Sequence, residues 1–121
     1  MSKAAAELIC PAGTPASLHA AVDAGADAVY TGFRDCTNAR NFPGLNFSRA
    51  EMKDAIAFAH RRGVKVFVAV NTFAVAGNPG PWRTAIGDAA RLEADAAIVA
   101  DIAVAAYAAK KYPDLRLHLS V

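Results

Sequence analysis

The sequence is poor in cysteine and has no excess of charge of one sign, and each shortage excludes a class of function. Its 121 residues include two cysteines, Cys10 and Cys36, without Cys-x-x-Cys or Cys/His spacing, so neither a zinc site nor a disulfide framework is indicated. Two cysteines also cannot hold an iron-sulfur cluster unaided. Thirteen basic and 11 acidic side chains give a net charge of +2, and Lys and Arg form no run longer than a pair. We therefore do not expect this segment by itself to bind nucleic acid.

Long apolar runs and common catalytic motifs are also missing. No stretch of about 18 uncharged apolar residues occurs, and the N-terminal segment lacks the apolar region of a signal peptide. We therefore expect no membrane span and a cytoplasmic protein. Gly-rich phosphate-binding motifs, a Gly-x-Ser-x-Gly elbow, an HExxH motif and paired carboxylates are absent, so the catalytic residues stay unknown and no metal site is predicted.

The residues that are present predict a compact domain in which strands and helices alternate. The composition is 55% hydrophobic and 20% charged, which is typical of a globular chain with a real core. Five apolar runs predict β-strands, at residues 7–10, 27–32, 64–70, 95–100 and 115–121. The segments between them predict four helices, with Thr14, Ser48 and Asp101 as N-caps and Pro81 at the start of the third.

This alternation is typical of right-handed βαβ units on a parallel sheet. Two architectures fit it: an open doubly wound sheet, and half of an eight-stranded barrel. The lack of a phosphate-binding motif and an ending inside a strand favour the barrel. A complete barrel needs about 250 residues. We therefore predict that residues 1–121 form a single partial α/β domain, the N-terminal half of a TIM-type (β/α)8 barrel.

The polar loop after the second strand, at residues 35–47, is the main candidate for a site. Polar side chains at the end of a buried strand suit ligand binding better than packing, and an arginine there can bind an anion or a carboxylate. The substrate-binding candidates are Asn38, Arg40, Asn41 and Asn46 in this loop, with Asn71 and Asp101 after the next two strands. Two alternatives stay open. The asparagines hydrogen-bond their own loop while Arg40 bridges to a neighbouring strand end, and Asp101 caps a helix, which we favour.

Other polar residues give weaker signals. His118 and Ser120 alternate with leucines, so they share a face that we interpret as the barrel lumen. His19 and His60 lie inside amphipathic helices, without a carboxylate or cysteine at ligand spacing, and we expect them to be partly solvated surface groups. Cys36 lies close in sequence to two arginines and is the more reactive thiol of the two.

Three segments resemble the N-terminal part of the collagenase-like peptidase family, the unclassified-mechanism family thirty-two. They are residues 7–13, 21–30 and 37–47. The Ala-Gly-Ala-Asp stretch in the second is common to many barrels. In contrast, the Asp-x-Thr-Asn-Ala-Arg motif followed by Gly-Leu-Asn-Phe is specific, and it is most similar to the UbiU-like branch of the family. In that branch an Asp more often stands at the position of Cys36. Glu93 occupies a helix end where Gly is usual, at a cost of about 1 kcal/mol if that position is left-handed.

The resemblance implies a barrel-like domain and, for the UbiU-like branch, oxygen-independent hydroxylation in ubiquinone biosynthesis. It further implies a quinone precursor as substrate, a UbiV-like partner and a [4Fe-4S] cluster whose ligands lie downstream of residue 121. We therefore expect residues 1–121 to be inactive by themselves. Three alternatives stay open: a collagenase-like peptidase, a relative that hydroxylates RNA, and a non-catalytic fragment or binding module. Open first and fifth strands also predict that the chain associates with itself.

Overall fold

The computed structural model describes residues 6–120, in which five strands alternate with four helices. The strands are Ile9–Pro11 (β1), Ala28–Gly32 (β2), Lys65–Val70 (β3), Ala96–Val99 (β4) and Arg116–Leu119 (β5). The helices are Pro15–Asp23 (α1), Arg49–Arg61 (α2), Gly80–Arg91 (α3) and Ile102–Lys111 (α4). Every predicted element is present, and the ends of the strands differ from the prediction by at most two residues. Val121, the last residue of the predicted fifth strand, lies outside the described residues.

The order of the strands decides between the two predicted architectures. All five are parallel and neighbour one another in sequence order, β1-β2-β3-β4-β5. In a doubly wound sheet the order reverses at a switch point. Right-handed crossovers between successive neighbours instead place all the helices on one face of the sheet. The fold is therefore the N-terminal half of a TIM-type barrel, as predicted.

The two faces of the sheet have different surroundings. One face carries fully buried valines, which pack with apolar helix side chains in one hydrophobic core: Val29, Val66, Val68, Val70 and Val99. Full burial of a valine contributes about 1.5–3 kcal/mol, so this face holds the helices in place. On the opposite, lumen face the ring of Phe67 meets that of His118 edge-on, with centroids 4.9 Å apart. His118 therefore lies on the lumen face, as predicted.

Local sequence signals set the ends of the elements. Thr14, Ser48 and Asp101 each accept a hydrogen bond from a backbone N–H in the first turn, at 3.1, 3.1 and 2.8 Å, which confirms three predicted caps. We predicted that Pro11 ends the first strand, but β1 includes it, because an edge strand loses no ladder bond to proline. Glu93 has a φ of +66°, so it occupies the left-handed position that glycine prefers.

None of the helices described between residues 6 and 120 has the length and apolar character needed to cross a bilayer.

Two histidines are exposed at the surface, as predicted, and each also contacts a side chain on another segment. His60, at the end of α2, lies 2.7 Å from a carboxylate oxygen of Asp95, and the same oxygen accepts a hydrogen bond from the backbone N–H of Val66 at 2.7 Å. The ring of His19 stacks on that of Phe58, with centroids 3.8 Å apart. Sequence spacing missed the partner of His60 because Asp95 lies on another element. This pair is at the N-terminal end of the sheet, where it stabilises the fold.

Candidate ligand-binding site

A cleft of about 400 Å³ opens at the carboxyl end of the sheet. Its floor is made by side chains and backbone of the strands, including Tyr30, Gly32, Ala69, Ile98 and Ser120. Its wall is made by the polar loop between β2 and α2 and by the end of β3. Ligand pockets span about 300–1,000 Å³, so this cleft has room for a substituted aromatic ring.

The structure brings four of the six candidate residues to this cleft: Asn38, Arg40, Asn46 and Asn71. Asn41 lies in the same loop but is exposed and does not line the cleft, and Asp101 is also outside it.

The two ends of the polar loop lie next to each other. Phe33, just after β2, forms an isolated parallel bridge with Phe47, just before α2. The N–H of Phe47 donates to the carbonyl of Gly32 at 3.1 Å, and that of Arg34 donates to Phe47 at 2.9 Å. Both phenylalanines are fully buried. Apolar packing at its base therefore fixes the position of the polar loop, residues 34–46.

The side chain of Asn38 stabilises the conformation of the loop. It is buried, and its Oδ1 accepts a hydrogen bond from the N–H of Arg40 at 3.1 Å while its Nδ2 lies 3.5 Å from the carbonyl of Phe33. Its amide packs directly on Gly32, where a Cβ atom would come within 2.1 Å of Nδ2. The loop conformation therefore requires glycine at the end of β2.

Asn46 and Asn71 attach the loop to its surroundings. Asn46 has a φ of +74°. Its Nδ2 donates to the carbonyl of Arg40 at 2.6 Å, and its backbone N–H donates to Gly13 at 2.5 Å. The Oδ1 of Asn71 accepts from the N–H of Ala39 at 2.9 Å. These amides thus bond the loop, as the alternative prediction states, and they also line the cleft. Among residues 6–120, Asn46 Oδ1 and Asn71 Nδ2 have no hydrogen-bond partner.

Arg40 is the arginine at the cleft without a carboxylate partner among residues 6–120. Two neighbouring arginines are paired: Arg34 lies 2.8 Å from Glu51, and Arg49 lies 2.8 Å from Asp35. The side chain of Arg40 is exposed, and it makes no bridge to a strand end within the described residues. Its guanidinium is therefore available for an anionic group of a ligand, which it can bind through two parallel hydrogen bonds.

A group of charges behind the loop was not predicted from the sequence. Arg49 lies 2.8 Å from Asp35 in the loop and 2.8 Å from Asp88 on α3, and its guanidinium covers the ring of Phe33 at 3.9 Å. Burial by itself would raise the pKa of Asp35. Hydrogen bonds from Thr37 and Arg49 outweigh burial and hold the pKa of this carboxyl below its ordinary value. The group ties the loop to two helices. Sequence spacing gave no signal for it because its members lie on three segments.

Asp101 lies outside the cleft and has a structural role. It caps α4, and its other carboxylate oxygen accepts a hydrogen bond from the N–H of Ala74 at 2.9 Å. The hydrogen bond from Ala74, which outweighs a smaller opposite effect of burial, lowers the pKa of Asp101. Asp101 therefore joins the segment after β3 to the start of α4.

The described residues do not fit the iron-sulfur cluster that the resemblance implies. Cys10 lies on β1 and is half-buried, whereas Cys36 is exposed in the loop. Between residues 6 and 120, no three His, Cys, Asp or Glu side chains lie close enough together to hold a metal ion. The chemistry that these residues offer is hydrogen bonding and anion binding.

Comparisons with known proteins agree with this fold. A tRNA hydroxylation protein P of Helicobacter pylori is 36% identical over 94% of this chain and 27% of its own length. An uncharacterized protease of Methanocaldococcus jannaschii is 34% identical over 95% of this chain and 27% of its own length. The chain thus spans about a quarter of the length of these relatives. The structure of the U32 peptidase Mk0906 superposes with a TM-score of 0.74 at 23% identity, over 99% of this chain and 50% of that one. The family model described as Peptidase family U32 matches residues 13–121, and the chain belongs to this family.

Proposed function

We propose that this chain forms the N-terminal half of a barrel that hydroxylates an aromatic ring, and that the cleft receives the ring. The observation that carries the proposal is the convergence of Asn38, Arg40, Asn46 and Asn71 on one cleft at the carboxyl end of a parallel sheet. Barrel enzymes bind their substrates at this end. The 36% identity to a tRNA hydroxylation protein supports hydroxylation as the reaction.

We propose RNA as the substrate and a pyrimidine as the ring. A pyrimidine presents an N–H donor, at N3 of uracil or the exocyclic amino group of cytosine, and a C=O acceptor, which complement the available Asn46 Oδ1 and Asn71 Nδ2. The guanidinium of Arg40 suits the phosphate of the same nucleotide. The net charge of +2 gives little general attraction for RNA, so this proposal depends on the local contact of Arg40. We retain the cytoplasm as the expected location.

A ubiquinone precursor, the substrate that we first expected, is the second candidate. The Asp-x-Thr-Asn-Ala-Arg motif, which resembles the UbiU-like branch, is the observation that favours it. A phenolic hydroxyl of such a precursor can donate to Asn46 Oδ1 and accept from Asn71 Nδ2. With this substrate we would also expect a UbiV-like partner.

Hydroxylation replaces a ring C–H with C–OH, which is a two-electron oxidation and requires an oxygen donor and an electron acceptor. We propose that the [4Fe-4S] cluster implied by the resemblance takes its ligands from outside residues 1–121. The part played by this chain is to bind and orient the ring. Arg40 anchors the anionic group, and the amides of Asn46 and Asn71 fix the rotation of the ring in the cleft.

Deletion of the gene in the source organism tests the substrate. Mass spectrometry of digested tRNA and rRNA, and of extracted quinones, is compared between the deletion strain and the parent after growth with and without oxygen. We expect a hydroxylated pyrimidine nucleoside to disappear while the quinones stay unchanged. Accumulation of an unhydroxylated quinone precursor without oxygen would support the second candidate instead. No change in either pool, together with lost cleavage of gelatin, would contradict hydroxylation and favour the peptidase alternative.

A further inference from the structure

Large apolar side chains are exposed at both edges of the sheet and at its carboxyl end among residues 6–120. Three of them, Leu8, Ile9 and Leu119, belong to the open edges of the sheet. The other five form what we call the rim patch: Phe42, Leu45, Phe73, Val75 and Ile102. Phe42 is 58% exposed and Phe73 is 70% exposed. Exposed apolar patches mark interaction sites or ligand-binding grooves, and aromatic side chains are enriched at interfaces.

The rim patch borders the cleft. Its members follow β2, β3 and β4, so they lie at the carboxyl end of the parallel sheet, and Leu45 itself lines the cleft. The segments that carry the two phenylalanines are held in place. The N–H of Phe42 donates to the carbonyl of Arg40 at 2.9 Å, and Ala74, next to Phe73, donates to Asp101 at 2.9 Å. Both aromatic rings therefore project from segments whose backbone is hydrogen-bonded.

Arg40 provides the rim patch with one cationic group for an anionic partner. The carboxylates nearby are engaged: Asp35 pairs with Arg49, Glu51 pairs with Arg34, and Asp101 accepts backbone N–H groups. Arg40 is the rim arginine without a carboxylate partner among the described residues. Exposed aromatic rings together with cationic side chains are a combination by which proteins bind single-stranded nucleic acid, because bases stack on the rings and the cation contacts phosphate.

We propose that Phe42 and Phe73 are stacking platforms for the bases that flank the base in the cleft, and that Arg40 contacts the phosphate backbone between them. The ligand is an unpaired stretch of RNA. In a duplex the faces of the bases are already covered by their neighbours, so they cannot stack on a protein side chain. This inference rests on the proposed function and specifies the form in which the RNA is recognised.

The test measures binding of the full-length protein to a fluorescent single-stranded pyrimidine-rich RNA of ten nucleotides and to a duplex of the same sequence. We expect the wild type to bind the single strand at least about tenfold more tightly than the duplex. Phe42→Leu and Phe73→Leu keep the apolar surface but remove the ring. Each should weaken binding to the single strand by about 5- to 100-fold. Phe73→Trp, which keeps an aromatic ring, should bind the single strand as the wild type does. Val75→Ala, a control on the same surface, should change binding by less than about twofold.

Salt dependence tests the contact of Arg40 separately. Arg40→Gln should lower the slope of log K against log salt by about 0.7, which is the contribution of one phosphate contact on a single strand. An unchanged slope would contradict this contact.

The outcomes separate this inference from the proposed function. If the wild type binds and hydroxylates RNA, but the leucine variants bind as the wild type does, the stacking inference is wrong and the proposed function stands. If Val75→Ala weakens binding as much as the leucine variants, the patch acts through apolar area, as in docking of another protein, and stacking is again contradicted. If gene deletion leaves RNA hydroxylation unchanged, the proposed function itself fails.

Discussion

Substitution of Gly32 by alanine should distort the loop that forms the cleft wall. The added Cβ would meet Asn38 Nδ2 at 2.1 Å and Cγ at 2.5 Å, whereas ordinary contact begins near 3.4 Å. The side-chain amide of Asn38 would have to move away by about 1 Å or more. Overpacking of this kind lowers the stability of the fold by about 1–3 kcal/mol. The movement also breaks the hydrogen bond from the N–H of Arg40, at about 1 kcal/mol. We therefore expect Gly32→Ala to lower the free energy of unfolding by about 2–4 kcal/mol.

Urea unfolding, followed by the fluorescence of the buried Trp82 and by circular dichroism, measures this loss. For a domain of this size the melting temperature should fall by about 8–16 °C. Gly13→Ala is the matched control, because its Cβ would lie 3.6 Å from Leu45, an ordinary contact, and its cost should stay below about 0.5 kcal/mol. In an Asn38→Ala background the clash is absent, so Gly32→Ala should then cost less than about 1 kcal/mol. Equal costs for the two glycine substitutions, or an unchanged cost without the Asn38 amide, would refute the reasoning.

Three further predictions follow from other contacts. Asp35→Asn should be less stable than the wild type at neutral pH. Because folding lowers the pKa of Asp35, its contribution is fully present above its ordinary value of 3.8 and is lost as the pH falls through the lower folded value, so urea titrations should converge in acid; a constant difference would contradict this. Asp101→Ala should speed hydrogen exchange at Ala74 and at the start of α4, whereas Asp101→Asn, another good cap, should retain most of the protection at α4; equal exchange in both variants would oppose the capping role. The 121-residue chain should associate with itself through the unpaired edges of β1 and β5, and sedimentation of a stable monomer at high concentration would count against it.

Much of the fold follows from local sequence signals. The valine-rich β3 and the capping box at Ser48 depend on residues adjacent in sequence, so their prediction needed no tertiary information. Periodicity describes each element but not its neighbours, so two architectures fitted the pattern. The half-barrel was predicted from the missing phosphate-binding motif and the ending inside a strand, and the consecutive parallel pairing confirms it.

The candidate site was predicted less completely. The sequence located the polar loop, but it did not distinguish Asn41, which is exposed outside the cleft, from Arg40, which lines it. That difference depends on the direction of the chain within a loop, and no periodic pattern encodes it. Arg49 was missed for another reason, since its partner Asp88 lies on a different helix. The requirement for Gly32 also appears only when the buried amide of Asn38 is seen against it.

The most direct test of the account compares Arg40→Ala with Asn41→Ala in full-length protein expressed in the deletion strain. The two residues are adjacent in one exposed loop, but only Arg40 lines the cleft. If the cleft binds the substrate, hydroxylated nucleoside should fall at least about tenfold with Arg40→Ala, the loss of one charge-assisted contact, and stay near the parental level with Asn41→Ala. Equal levels in the two strains, at equal amounts of protein, would contradict the assignment of the cleft as the binding site.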